Sequence, residues 1–279
     1  MREIAADEIR QSIKELFLQA SFILGDDVLS AFRQARQDEE SPVGREILAR
    51  LQENAALAND HRLPLCQDTG LATIFVELGQ EAHITGGGLR EAIEEGVRQA
   101  YEEGFLRKSV CHPLTRKNTG DNTPAIIHLD LVPGDRIRLT AIPKGGGSEN
   151  MSRLFMLTPA AGWEGVKEKV VQTVSEAGPN PCPPLVVGVA LGGSFEVAAR
   201  EAKRVLLRPL DQANPDPEAA DLEKELLAAV NDLGIGPQGL GGRVTALAVH
   251  LKMMPCHIAS LPLAVNLQCH ACRHAEAVL

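Results

Sequence analysis

The stretch GPNPCPPLVVGVALGGSFEVAAREAKRVLL, residues 178–207, constrains the fold of this chain more than any other. Its apolar run is too short for a buried helix and rich in branched residues, so it reads as a strand covered on both faces. The Gly-Gly turn and the helical periodicity after it make a βα unit. A strand buried on both faces needs helices packed over its sheet, so an α/β architecture is expected. Cys182 stands at the entrance of this strand.

Local patterns elsewhere agree. Ile9, Ile13, Leu16, Phe17 and Ala20 share one helical face, and the segment from Ser41 offers a serine N-cap, Pro42 at the first helical position, and Ile47, Leu48 and Leu51 as a buried stripe. Residues 1–60 are therefore expected to be helical. LATIFVEL reads as a strand and residues 88–103 as a helix. TPAIIHLDLVPGDRIRLTAIPKGGG alternates around a Pro-Gly-Asp turn and reads as a hairpin. A helix over 163–176 closed by Gly178, an acidic-capped helix after NPDP, a glycine-dense loop and a further strand complete the pattern. With no repeat and no low-complexity linker, one mixed α/β (α+β) domain over residues 1–279 is expected, a helical N-terminus followed by mixed sheets covered by helices.

Composition narrows the function classes. Aromatic residues are 3% of the 279, too few for base-stacking platforms, and the formal net charge of -9 repels a phosphate backbone. No nucleic-acid partner is expected. The N-terminus lacks the apolar run of a signal peptide, and no apolar run approaches the ~20 residues that cross a bilayer, so a cytoplasmic chain without a membrane partner is expected. In a reducing compartment, six cysteines read as thiols or metal ligands rather than as a disulfide framework.

Two metal readings follow. In the local one, Cys256, Cys269 and Cys272 with His257, His270 or His274 form a zinc site in a binding or regulatory module, since the two-residue gap between Cys269 and Cys272 lets both sulfurs reach one ion. In the other, Cys66, Cys182 and Cys269 converge from three distant loops that share proline, glycine or amide-bearing neighbours. KGGGSEN adds a loop beside Lys144 whose backbone amides can approach an anion, and its plain alternative is a flexible turn.

LPLCQDTG, GDNTPA, KGGGSEN, GPNPCPPLVVGVALGG, LGIGPQGLGG and NLQCHACRH, in this order from about residue 60 to the end, resemble the α part of the class I fumarase and tartrate dehydratase family of iron–sulfur hydro-lyases. The resemblance implies a fumarate hydratase class I alpha-type domain and a [4Fe–4S] cluster held by Cys66, Cys182 and Cys269, with one iron left without a protein ligand. Such an iron acts as a Lewis acid in the reversible hydration of fumarate to malate, a step of the tricarboxylic acid cycle, or, as the alternative, in dehydration of L-tartrate.

By the same resemblance Gln67, Asp68 and Arg107 contact substrate, Asp68 with a catalytic role in holding a hydroxyl or a proton, and Gly145 and Gly146 offer backbone contacts to a substrate carboxylate. Arg107 lies in a run with four cations in eleven positions, whose plain alternative is a solvated basic face. His270 and Arg273 flank the third ligand and would tune the cluster by hydrogen bonding. Cys111, Cys256 and Cys272 are left over, and Cys272 stands at ligand spacing from Cys269. The family's catalytic threonine and further substrate-binding cations belong to a β part that lies outside this sequence. The expectation is an α subunit that needs a β subunit for activity, as a dimer of α subunits within a hetero-oligomer.

Overall fold

A computed structural model describes residues 2–279. In chain order the elements are β1 (Arg2–Ala5), α1 (Ala6–Phe22), α2 (Asp26–Asp38), α3 (Pro42–His61), β2 (Leu71–Gly79), β3 (Ala82–Thr85), α4 (Leu89–Glu103), β4 (Ile126–Val132), β5 (Ile137–Lys144) and α5 (Gly146–Glu149). They continue with β6 (Arg153–Leu157), α6 (Gly162–Ala177), β7 (Leu185–Gly193), α7 (Phe195–Arg204), α8 (Pro217–Asn231), β8 (Ala246–Cys256), β9 (Leu261–Gln268) and β10 (Ala275–Val278). The class is mixed α/β, as expected. The chain divides into two compact units, one of Met1–Leu24, Ala55–Gly146 and Arg273–Leu279, the other of Gly25–Asn54 and Gly147–Cys272.

In the first unit a sheet in the order β10-β5-β2-β4 carries α1 and α4. The stripe Ile9, Ile13, Leu16, Phe17 of α1 is fully or almost fully buried and packs with Ile93, Val97 and Tyr101 of α4 and with Ile74, Val76, Ile137 and Leu139 of the sheet. Each such side chain removed from water contributes about 1.5–3 kcal/mol. The helices approach closely at Gly96, where a Cβ would fall 2.5 Å from the Arg10 carbonyl oxygen.

Two expectations are corrected here. β4 and β5 do not form a hairpin: β2 lies between them, parallel to β4 and antiparallel to β5. β5 and β2, the two most buried strands of this sheet, take its two interior places, while the Pro-Gly-Asp turn straddles the end of β2, with Gly79 N–H donating to Arg136 O and Gln80 N–H to Val132 O. Residues 2–5, inside the expected helical region, form β1, which pairs parallel with β3.

In the second unit a sheet in the order β6-β9-β7-β8 has α6 and α8 on one core and α7 on another, around Ala190, Ala198, Ala202 and Ala264. β7 is buried over six successive residues, as its apolar run requires. The helix starts behave as read: Ser41 Oγ accepts from Gly44 N–H at 3.2 Å, and Asp216 caps α8 by accepting from Glu218 N–H. No described helix is long and apolar enough to cross a membrane.

Candidate active site

Strand register explains why distant motifs meet at one end of the first sheet. Leu71 pairs with Lys144, so the loop before β2 and the loop after β5 are neighbours. β4 runs parallel to β2 and β10 antiparallel to β5, which brings the segments before β4 and before β10 to the same end. Cys66, Gln67, Asp68, Gly145, Gly146, Asn122 and Arg273 occupy these four segments.

Asp68 is fixed at both carboxylate oxygens, one accepting from Gly70 N–H at 3.0 Å and the other from Gly146 N–H at 2.7 Å. The Gly146 amide, expected to face a substrate carboxylate, thus donates to Asp68. A Cβ at Gly145 or Gly146 would lie 3.5 or 3.6 Å from Asp68 Oδ2. Gly70 has φ +75° and approaches the Lys144 backbone so closely that a Cβ would sit 2.5 Å from the Lys144 carbonyl carbon, which only glycine permits.

The main-chain carbonyls of this loop are held from several sides. Arg273, 2% exposed, donates from Nη2 to Asp68 O and from Nε to Pro143 O. Tyr101 Oη donates to Thr69 O at 2.7 Å, and Asn122 Nδ2 to Gly70 O at 3.1 Å. Burial pushes the Tyr101 phenol well above its ordinary range, so it stays a donor. Thr69 Oγ1 donates to Arg107 O at 2.9 Å, tying the Arg107 segment to the loop. Arg107 is exposed, and among the described residues no carboxylate pairs with it. Cys66 is half-buried, with its thiol 3.3 Å from Gln67 Oε1.

In the second unit the same logic gathers Cys182 and Cys269. β7 and β9 are antiparallel, with Val186 opposite Gln268, so the loop entering β7 lies beside the loop leaving β9. β8 runs parallel to β7 and starts opposite Leu185, which adds the glycine-dense loop before β8. His270 N–H donates to Cys182 O at 3.2 Å. Gln238, at φ +53°, donates to Pro183 O from its backbone at 2.8 Å and from Nε2 at 2.7 Å, and its Nε2 lies 3.2 Å from His270 Nδ1. Since Pro183 O can only accept, the amide orientation is fixed. Cys182 is exposed at φ +57°, and Cys269 is half-buried.

The rest of the expected set falls elsewhere. None of the six cysteines is in a disulfide. Cys272 is 4% exposed with its sulfur 3.9 Å from Leu206 O, Cys256 is exposed with its sulfur 3.2 Å from Ser260 O, and Cys111 lies in an isolated bridge with Asn118. Among the described residues no three His, Cys, Asp or Glu side chains gather as a cage for one ion.

Three contributors escaped the sequence reading. Asn122 and Gln238 stand inside quoted motifs, which was the available signal. Glu39 stands in the charged run QDEE, yet it is 1% exposed and accepts from the N–H groups of Ser41, Arg243 and Val244 at 2.8–2.9 Å. It thereby anchors the end of the loop that carries Gln238. Burial would raise its pKa, but these backbone donors outweigh burial and hold the carboxyl below its ordinary value.

The matches of this α/β chain to known proteins are those of a hydro-lyase alpha subunit. A family model described as Fumarate hydratase (Fumerase) matches residues 10–278, and the chain belongs to that family, in its class I alpha form. It is 44% identical over 274 residues, 96% of each chain, to a Methanocaldococcus jannaschii protein provisionally named L(+)-tartrate dehydratase subunit alpha. It is 32% identical over 276 residues, 98% of this chain and 91% of the relative, to proteins named L(+)-tartrate dehydratase subunit alpha from Escherichia coli strain K12 and Shigella boydii serotype 4.

Proposed function

We propose that this chain is the α subunit of a two-subunit cytoplasmic hydro-lyase for a small dicarboxylate, with Cys66, Cys182 and Cys269 holding a [4Fe–4S] cluster and a β subunit completing the active site. The observation that carries the reading is the Asp68 carboxylate pinned between the Gly70 and Gly146 amides, two residues after Cys66. The donor set suits the group: three thiols at loop positions, none in a disulfide, two of them in loops hydrogen-bonded to each other. Ligands at the corners of a cluster stand farther apart than those of a single ion, so a cage for one ion is not what such a group needs. When bound, the cluster supplies a Lewis-acid iron lacking a protein ligand.

The chain's own residues supply binding and orientation. A carboxylate held by two backbone donors cannot rotate away, so Asp68 can accept a hydrogen bond from a substrate hydroxyl at a fixed place and hold a proton in transit. Arg107, exposed and with no carboxylate partner among the described residues, suits one carboxylate of the substrate in a chain of net charge -9. Gln67, next to Cys66, and the Gly145 backbone would complete the contact. Tyr101 and Arg273 hold the main-chain carbonyls of the Asp68 loop rigid, which lowers the reorganisation needed at the reacting step.

The fumarate–malate pair is the first substrate reading, which would place the enzyme in the tricarboxylic acid cycle. L-tartrate is the second, favoured by the names of the three relatives. Both reactions act on a dicarboxylate with a hydroxyl on the carbon beside a carboxylate, and the loops described suit both. A dimer of α subunits within the hetero-oligomer belongs to the same proposal.

The test is anaerobic reconstitution with co-expressed β subunit. We expect brown protein with about four iron and four sulfide per α chain, lost in Cys66→Ser, Cys182→Ser and Cys269→Ser and kept in Cys111→Ser and Cys256→Ser. Full iron content in any of the first three variants would refute the ligand set. kcat/KM for malate against L-tartrate decides between the substrates.

A further inference from the structure

We infer that Asn122 is a positioning residue that holds the Arg107 segment at a fixed offset from the Asp68 loop, and so sets where the Arg107 guanidinium meets a substrate carboxylate. This rests on the proposed substrate-binding roles of Arg107 and Asp68.

Asn122 is fully buried, and each polar atom of its amide is committed. Its Oδ1 accepts from Ser109 N–H at 2.6 Å and from Val110 N–H at 3.2 Å, on the segment that follows Arg107. Its Nδ2 donates to Gly70 O at 3.1 Å, in the loop that holds Asp68. Backbone N–H groups only donate and a carbonyl only accepts, so the amide has one allowed orientation and bridges the two segments in one direction. No other side chain of similar size offers an acceptor and a donor in that fork, apart from the longer glutamine.

The bridge is itself anchored. Asn122 takes φ +61°, a left-handed conformation that asparagine tolerates better than most residues. Its neighbour Asp121 accepts from Thr123 N–H at 3.0 Å and pairs with Arg98 of α4 at 3.0 Å, which ties the turn to a packed helix. A second link runs beside the first, from Thr69 Oγ1 to Arg107 O. Arg107 itself has no ion pair among the described residues, so nothing at its own tip fixes it; its placement is inherited from the backbone that Asn122 and Thr69 hold. A residue acting this way affects substrate binding through Arg107 and leaves the reacting groups in place.

The test uses the cluster-loaded αβ enzyme and compares wild type, Asn122→Asp, Arg107→Met and the double variant. Asn122→Asp keeps both acceptor bonds to Ser109 and Val110 but turns the donor to Gly70 O into a repulsive oxygen. We expect KM for the dicarboxylate to rise about tenfold with kcat within about threefold and iron per chain unchanged. On the Arg107→Met background the same change should add less than about twofold, because residues that act through one another are not additive. An unchanged KM in a variant with normal iron, or independent multiplication of the two effects, overturns the inference. Asn122→Ser, which introduces no buried charge, carries the same expectation if the aspartate variant does not fold. Failure of both variants to give folded αβ enzyme would assign Asn122 to stability alone and equally overturn it. Arg107→Met without any effect on KM would instead refute the proposed role of Arg107, so the two failures are distinguishable.

Discussion

Replacing Glu39 by glutamine removes the charge from a carboxylate that is 1% exposed and serves three backbone donors. Oε1 accepts from Ser41 and Arg243, and Oε2 from Val244. The glutamine oxygen can keep the first two, but its NH2 then faces the Val244 N–H, which stays buried without an acceptor at a cost of about 1–3 kcal/mol. The two retained bonds lose their charge assistance, about 1 kcal/mol each. Relief of the buried charge offsets part of this, so we predict a net loss of roughly 2–4 kcal/mol, or roughly 5–15 °C in Tm for a unit of this size.

The pH dependence gives a second handle on Glu39. Its folded pKa is held below the ordinary 4.5, so its stabilisation is complete above that value and is lost as the pH falls through the folded pKa. Thermal melts of wild type and Glu39→Gln should therefore differ fully at neutral pH and converge in acid. Equal stability at neutral pH, or a gap that persists unchanged well below pH 4.5, would refute the account. Because Arg243 and Val244 close the loop that carries Gln238, amide exchange at Gln238 should quicken in the variant even where the unit remains folded.

Gly70→Ala should be among the most damaging single changes in the first unit, because its φ of +75° and the 2.5 Å approach to the Lys144 carbonyl carbon leave no room for a Cβ; a soluble variant with wild-type Tm would contradict the close approach. His250, 2% exposed with Nδ1 donating to Val205 O at 3.0 Å, has its pKa pushed down from 6.5 to about 4, first by burial and then by Arg208. Between those values the unfolded chain binds the extra proton, so stability should fall by about 3 kcal/mol as the pH drops from 6.5 to about 4. NMR titration of folded protein showing His250 ionising near 6.5 would remove that expectation, and His250→Gln should flatten the slope.

Local structure was legible because it depends on neighbours in the chain. The stripe from Ile9 to Ala20 could only be one face of a helix, Ser41 and Pro42 could start one, and the run in β7 could only be an interior strand. The candidate site was legible as motifs, since a loop that must approach backbone closely, such as the one at Gly70, leaves glycine behind. The roles of Asn122, Gln238 and Glu39 were not. A carboxylate in the run QDEE has the local signature of a solvated face, and its burial follows from donors more than 200 positions away in sequence.

By itself the sequence determined the main helices and the strands β2, β4, β5, β7 and β8, the mixed α/β class, and which loops carry the cysteines and glycines. Tertiary structure alone decided that β2 separates β4 from β5, and that β10 joins the first sheet so that Arg273 reaches the Asp68 loop. The physical reason is that strand pairing is a competition among apolar strands for the buried centre of a sheet. Hydrophobic periodicity within one segment sets which face is buried but not which neighbour it meets.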